Sequence, residues 1–248
     1  MAAESAGLKV AAIDYRLVPI GDGGVLVDCG ERIESEVNAW VRAAARAIEE
    51  AKLAGVLELV PTYRSLAVFY DSCVVRQAEL LARLPALLDR IASVPGAARR
   101  WRIPVCYGGE YGIDLEPLAE RHGLSPAQLV ERHAARIYRI YMIGFMPGFA
   151  YLGGLDPSLH TPRRDSPRSL TPEGSISIGG AQTAVASVAA PSGWHLIGRT
   201  PVRTFEPERE RPFLLDAGDE VRFVPIEHAR FAAFEACAEE DWQWSEAV

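Results

Sequence analysis

Beyond Tyr138 the chain breaks into short β-type runs set between glycines and prolines: IYRIYMI, SISIGG, TAVASVA, WHLIG and DEVRFVPI. Many short strands with turn residues at regular intervals must hide their edges by closing or stacking, so a β-barrel or sandwich is expected. Glycine and proline are densest between Gly144 and Thr200, beyond what ordinary hairpins need. Loops of that composition bind ligands more often than they merely connect strands.

The first hundred residues have a different texture. Strands are expected at Ala11 to Pro19 and at Val25 to Cys29, separated by the turn Gly21-Asp22-Gly23-Gly24. From Ser35, read as an N-cap, to Lys52 the residues Val37, Trp40, Val41, Ala44, Ala45 and Ile48 recur at helical spacing. Val56–Pro61 and Ser65–Tyr70 read as a strand pair. Leu80, Leu81, Leu84, Leu87, Leu88 and Ile91 then mark a second helix running to the Pro95-Gly96 breaker, and Trp101 to Cys106 returns as a strand. Counted from Val25, the order is strand, helix, strand, strand, helix, strand, the split βαβ of a ferredoxin-like sandwich.

The expectation is therefore an α+β chain of two domains, a ferredoxin-like one over residues 1–98 and a β-barrel over 99–248. Within the second, Asp114 to Arg121 suits a short helix, and Ser125, Pro126 and Gln128 form a capping box with proline at the first helical position. A terminal helix is expected from Glu227 to Ala238, packing Phe231 and Phe234.

Charge and composition remove several function classes. A formal net charge of -7 disfavours a nucleic-acid or anionic-membrane surface. The lysines are Lys9 and Lys52, neither in a GxxxxGK[ST] context, so no P-loop is present. Cys29, Cys73, Cys106 and Cys237 have no metal-ligand spacing, and His122 and His228 stand apart, so no metal site is expected. Lacking a signal-like start or a run of some 18 apolar residues, the chain is expected in the cytoplasm.

One ordered set of motifs is more specific: Gly144-Phe145, Pro147-Gly148-Phe149, Tyr151-Leu152-Gly153-Gly154, Pro162-Arg163, Pro167-Arg168, Gly174-Ser175, Gln182-Thr183, Gly193-Trp194 and Gly198-Arg199-Thr200. Together with Tyr107-Gly108-Gly109, His133 and Ala217 to Ile226, it resembles the signature of the 5-oxoprolinase B-subunit family, also known as allophanate hydrolase subunit 1 and sporulation-kinase inhibitor KipI. The resemblance implies a cyclophilin-like barrel after the ferredoxin-like domain. It also implies partners resembling the C and A subunits of 5-oxoprolinase, a small anionic amide as substrate, and ATP used at the level of the complex, with no ATP motif in this chain. In such complexes 5-oxo-L-proline is opened to L-glutamate. Two stretches depart from the family pattern: Thr183 to Ser187 replaces a TGxYP run, and Ser192 replaces the first glycine of PGGW.

Candidate site residues follow. Arg163, Arg168 and Arg199 suit an anionic group, or else they brace loops by pairing with Asp156, Asp165 or Glu173; Arg164 reads as surface. His133 suits a proton carrier, or else an imidazole at a helix end. Gln182 and Thr183 suit the donor and acceptor of a lactam, or else a turn. Tyr151 and Trp194, with Phe145 and Phe149, suit a pocket wall or plain packing. His133 and Gln182 are thus the catalytic candidates, and Tyr151, Arg163, Arg168, Thr183, Trp194 and Arg199 the substrate-binding ones. Two other functions remain open: inhibition of a sensor histidine kinase, and a carboxyltransferase-like module of urea or amide degradation with a biotin-bearing partner.

Overall fold

The computed structural model describes residues 8–9, 13–91, 93–94, 99–231 and 233. It divides into two compact units, Met1–Gly96 and Ala97–Val248.

The first unit contains β1 (Leu8–Lys9), β2 (Arg16–Ile20), β3 (Gly24–Asp28), α1 (Ser35–Ala51), β4 (Val56–Pro61), β5 (Ser65–Tyr70), α2 (Gln77–Leu88) and β6 (Ser93–Val94). Its main sheet has the antiparallel order β2-β3-β5-β4, while β1 pairs separately with β6. Alternation along β3 and β5 turns Val25, Val27, Leu66 and Val68 toward α1 and α2, where they meet Trp40, Val41, Ile48, Leu80 and Leu84. Each of these fully buried side chains contributes roughly 1.5–3 kcal/mol relative to exposure. Three expectations are corrected here. The edge strand beside β3 is β2, from the N-terminal hairpin, and the Trp101 strand belongs to the other unit. The strand expected over Ala11 to Pro19 is β2 and begins at Arg16, and the expected opening at Ala11 and Ala12 lies outside the described residues. Helix α1 starts at Ser35 with Glu34 as N-cap, and no side chain caps it.

The second unit contains β7 (Arg100–Tyr107), α3 (Leu115–Arg121), α4 (Pro126–Ala134), β8 (Tyr138–Ile143), β9 (Ala150–Gly153), β10 (Arg168–Thr171), β11 (Ser175–Gly179), β12 (Gln182–Val185), β13 (Ala190–Ser192), β14 (His195–Arg199) and β15 (Glu220–Pro225). Seven of them close a barrel in the order β11-β12-β9-β8-β15-β7-β14, and β10 pairs with β13 outside it. Closure leaves no free edge in the barrel, which is how so many short strands avoid pairing with other chains. Among the described strands, the parallel contact in the barrel joins β7 to β15. It is reinforced by the Trp101 indole N–H donating to Asp219 at 2.8 Å. Ile103, Ile140, Leu152, Ile176, Ile178, Ile197 and Phe223 fill the interior, joined by Leu118 of α3 and Leu129 of α4.

Helix α4 carries the expected capping box: the Gln128 backbone N–H donates to Ser125 Oγ at 3.2 Å, and the Ser125 N–H donates to Gln128 Oε1 at 2.8 Å. At the other end of the unit the expected terminal helix is described only in part, with Phe231 and Ala233 helical. A 3-10 turn, His228–Arg230, leads into Phe231, which stacks on Tyr111 at 4.4 Å. Phe234, Cys237 and the other residues of 234–238 lie outside the described residues, as do Pro95 and Gly96. No helix of the described residues is long and apolar enough to cross a membrane.

Candidate functional site

The two sides of β12 separate the candidate residues into two groups. Thr183 lies opposite Leu152 of β9 and Ile178 of β11, both core residues, so it faces the barrel interior. Its neighbours Gln182 and Ala184 face outward, and Ala184 is paired with Tyr151. Gln182 and Thr183, adjacent in sequence, therefore cannot grip one ligand from the same side of the sheet.

Inside the barrel, Thr183 meets His133. The imidazole is fully buried, stacked on Phe223 at 5.0 Å. Tyr107 Oη lies 2.8 Å from its Nδ1, and Thr183 Oγ1 lies 3.0 Å from its Nε2. The Thr183 hydroxyl donates to the Ser177 carbonyl at 2.9 Å, so toward His133 it must accept. His133 is then the Nε2–H tautomer, and its Nδ1 accepts from the Tyr107 hydroxyl. Burial raises the Tyr107 pKa and keeps that hydroxyl protonated. Burial also lowers the His133 pKa to about 3, because a charged ring there would lose its hydration. Enclosed and bonded at both nitrogens, the ring has no path to a ligand outside the barrel, which does not favour the proton-carrier role expected of His133 alongside Gln182. The two side chains stand on opposite sides of the barrel wall.

Outside the barrel, Tyr151, Phe149 and Trp194 pack together over Ala184 and Ala186. Phe149 and Tyr151 are 4.7 Å apart, and Tyr151 meets Trp194 edge-on at 5.8 Å. The departure from the family pattern has a structural consequence here, since Ala184 and Ala186 present only methyl groups beneath the aromatic rings. Ser192 also has a role, its Oγ accepting the Trp194 backbone N–H at 3.1 Å. Gly179 is needed for the same packing: a Cβ there would lie 2.4 Å from the Trp194 ring. Gly179→Ala should therefore displace Trp194 and destabilise the barrel unit by about 1–3 kcal/mol. Denaturant unfolding with tryptophan fluorescence checks this, and an unshifted midpoint would contradict it.

The arginines have separate fates. Arg163 lies over the Trp194 ring at 5.7 Å, leaving its N–H edges available. Arg168 is held by Asp114 at 2.6 Å, a partner none of the sequence-based pairings included. Arg164, expected at plain surface, reaches the same carboxylate at 3.3 Å. Asp114 is 5% exposed, and its second oxygen accepts the Leu196 N–H at 2.8 Å. One carboxylate thus ties the 162–168 loop to α3 and β14. Sequence reading missed it because its partners lie 50, 54 and 82 residues away. Arg199 donates to the Glu173 carbonyl at 2.8 Å and lies over Phe231. It lines a small crevice with Gly174 and Ser187, not the concavity beside Arg163.

That concavity, about 390 Å³, is lined by Arg121, Arg163, Arg164, Asp165 and His195. His195 Nε2 lies 3.0 Å from the Pro162 carbonyl, which can only accept, so that nitrogen carries a proton. No group of histidine, cysteine, aspartate and glutamate among the described residues could hold a metal ion.

Comparison with known proteins agrees with this architecture. Residues 15–215 match the family model described as carboxyltransferase domain, subdomain C and D. The chain is 39% identical over 238 residues to the B subunit of 5-oxoprolinase from Bacillus subtilis (strain 168), covering 90% of this chain and 97% of that protein. Among solved structures, TTHA0988 superposes with a TM-score of 0.74 at 36% identity, covering 82% of this chain and 40% of TTHA0988, whose chain is much longer. The Kluyveromyces lactis urea amidolyase superposes with a TM-score of 0.77 over 90% of this chain and 15% of its own, at 18% identity, and shares the fold alone. On the match over residues 15–215 and the near end-to-end likeness to the Bacillus subtilis protein, this chain belongs to the 5-oxoprolinase B-subunit family of carboxyltransferase-type domains.

Proposed function

We propose that the chain is the B subunit of an ATP-dependent 5-oxoprolinase in the cytoplasm, acting with A-type and C-type companion subunits to open 5-oxo-L-proline to L-glutamate. The observation that carries this reading is the 39% identity to a 5-oxoprolinase B subunit over 97% of that protein's length. ATP is consumed at the level of the complex.

The geometry supports a division of labour. Gln182, Tyr151, Trp194 and Arg163 share the outer side of the barrel wall, where an amide acceptor and donor, aromatic surface and a guanidinium suit a small cyclic amide bearing an acid. Opening the ring requires water to add at the lactam carbonyl, the C–N bond to break, and the departing nitrogen to take a proton. With His133 and Thr183 enclosed in the core, these two act as positioning residues that fix β12 against α4. Arg168 holds the loop that carries Arg163 and Arg164. The reading expects the partner to complete the site.

Co-expression of the chain with its companion subunits, followed by a glutamate-release assay with 5-oxo-L-proline and ATP, tests the proposal. Release is expected only from the full complex and not from this chain alone. Equal release by the companion subunits without this chain would reject it.

A further inference from the structure

The concavity beside the 162–168 loop concentrates positive charge in one small place. Arg121, Arg163 and Arg164 line it against one carboxylate, Asp165, with His195 as a further lining residue. Among the described residues neither Arg121 nor Arg163 has a carboxylate partner. Arg164 shares its carboxylate with Arg168, which holds the shorter contact. Arginines that meet no acid inside the protein have N–H edges to offer a ligand. A recess whose wall carries an excess of positive charge also raises the local concentration of anions. At about 390 Å³ the space suits a small molecule.

Two neighbours report the same field. His122, next to Arg121, has its pKa lowered by burial first, and then by Arg121 and His195. Burial raises the Tyr151 pKa, and Arg163 opposes that rise, which places the guanidinium close enough to act on the phenol. Arg163 therefore stands between the recess and the aromatic patch of Tyr151 and Trp194.

We propose that Arg121, Arg163 and Arg164, with His195 beside them, form a binding site for a small oxyanion, a carboxylate or a phosphate group. For the free acid group of a cyclic amide the site deepens the reading above, and it rests on that reading only for the identity of the substrate. The guanidinium edges bind the anion while the Arg163 face stays on Trp194, so a ring attached to the anion is directed toward the aromatic patch.

The test is titration of the full chain with 5-oxo-L-proline, with inorganic phosphate and with the uncharged lactam 2-pyrrolidinone, followed by calorimetry and by the NMR signals of the histidines. Binding of 5-oxo-L-proline or of phosphate is expected, the stronger of the two naming the source of the anion, with pyrrolidinone not competing. Arg121→Ala and Arg163→Gln should each weaken binding about tenfold or more. Saturation should raise the His122 pKa, because an anion beside Arg121 and His195 offsets their repulsion. Failure of both anions to bind, equal binding of pyrrolidinone, or unchanged affinity in both variants would overturn the site. A complex that releases no glutamate while the chain still binds the anion would remove the proposed reaction and leave the site. Normal turnover and binding in both arginine variants would do the reverse.

Discussion

Asp114→Ala should destabilise the barrel unit by about 3 kcal/mol, seen as a fall in its unfolding temperature of roughly 6–12 °C. The carboxylate is nearly inaccessible and accepts from Arg168, Arg164 and the Leu196 N–H. Its removal leaves two guanidinium groups without their shared counter-charge and one buried N–H without an acceptor. The low end of the range for a broken buried pair is used because Arg164 and Arg168 keep 32% and 21% of their side-chain surface in contact with solvent. Asp114→Asn keeps an acceptor but not the charge, and should fall between. Calorimetric unfolding of both variants gives the measurement, and an alanine variant within about 1 °C of wild type would show that the pairing is a surface contact of little worth.

The second large effect is a dependence on pH that one side chain creates. His133 titrates at about 3 in the fold, against an ordinary value of 6.5 that applies once the chain unfolds. Between these values the unfolded chain holds a proton that the native barrel does not, so protonation favours unfolding. The stability that the neutral ring contributes is intact above pH 6.5 and is lost progressively as the pH falls toward 3. Over that window the slope from this residue is about 1.4 kcal/mol per pH unit, and the total loss is of order 5 kcal/mol. His133→Phe removes the titrating group while stranding the Tyr107 hydroxyl, so it should be less stable at pH 7 but show a flatter profile below about 6.5. Urea unfolding of both proteins between pH 7 and pH 4 tests this. Parallel profiles would mean that the ring is not held neutral by the core.

Much of the fold could be read from local pattern. Val56–Pro61 and Ser65–Tyr70 form the strands expected of them, and the Ser125 to Gln128 box closes as its residue types require. Alternation and capping are properties of neighbours along the chain, and neighbours are what a sequence displays. The short strands Ala150–Gly153, Arg168–Thr171 and Ala190–Ser192 carried no such signal, being only three or four residues long and lying among glycines and prolines.

The site was legible as a region and not as an arrangement. Its residue types identified the family and the segment from Gly144 to Thr200, within which Arg163 lies over Trp194 while Arg199 lies apart beside Gly174. Which side of the wall each residue faces depends on strand register, since one step along β12 carries a side chain from the core to the surface. Barrel closure brought Thr183 to His133, 50 residues earlier, and withdrew both from solvent. It also brought Asp114 to Arg168 and Arg164 and so decided which arginines share a buried carboxylate. The sequence by itself determined the kinds of element and the chemistry present, because these follow from residue type and short-range period. The tertiary structure alone decided burial, partners and protonation, because those depend on groups brought together from distant parts of the chain.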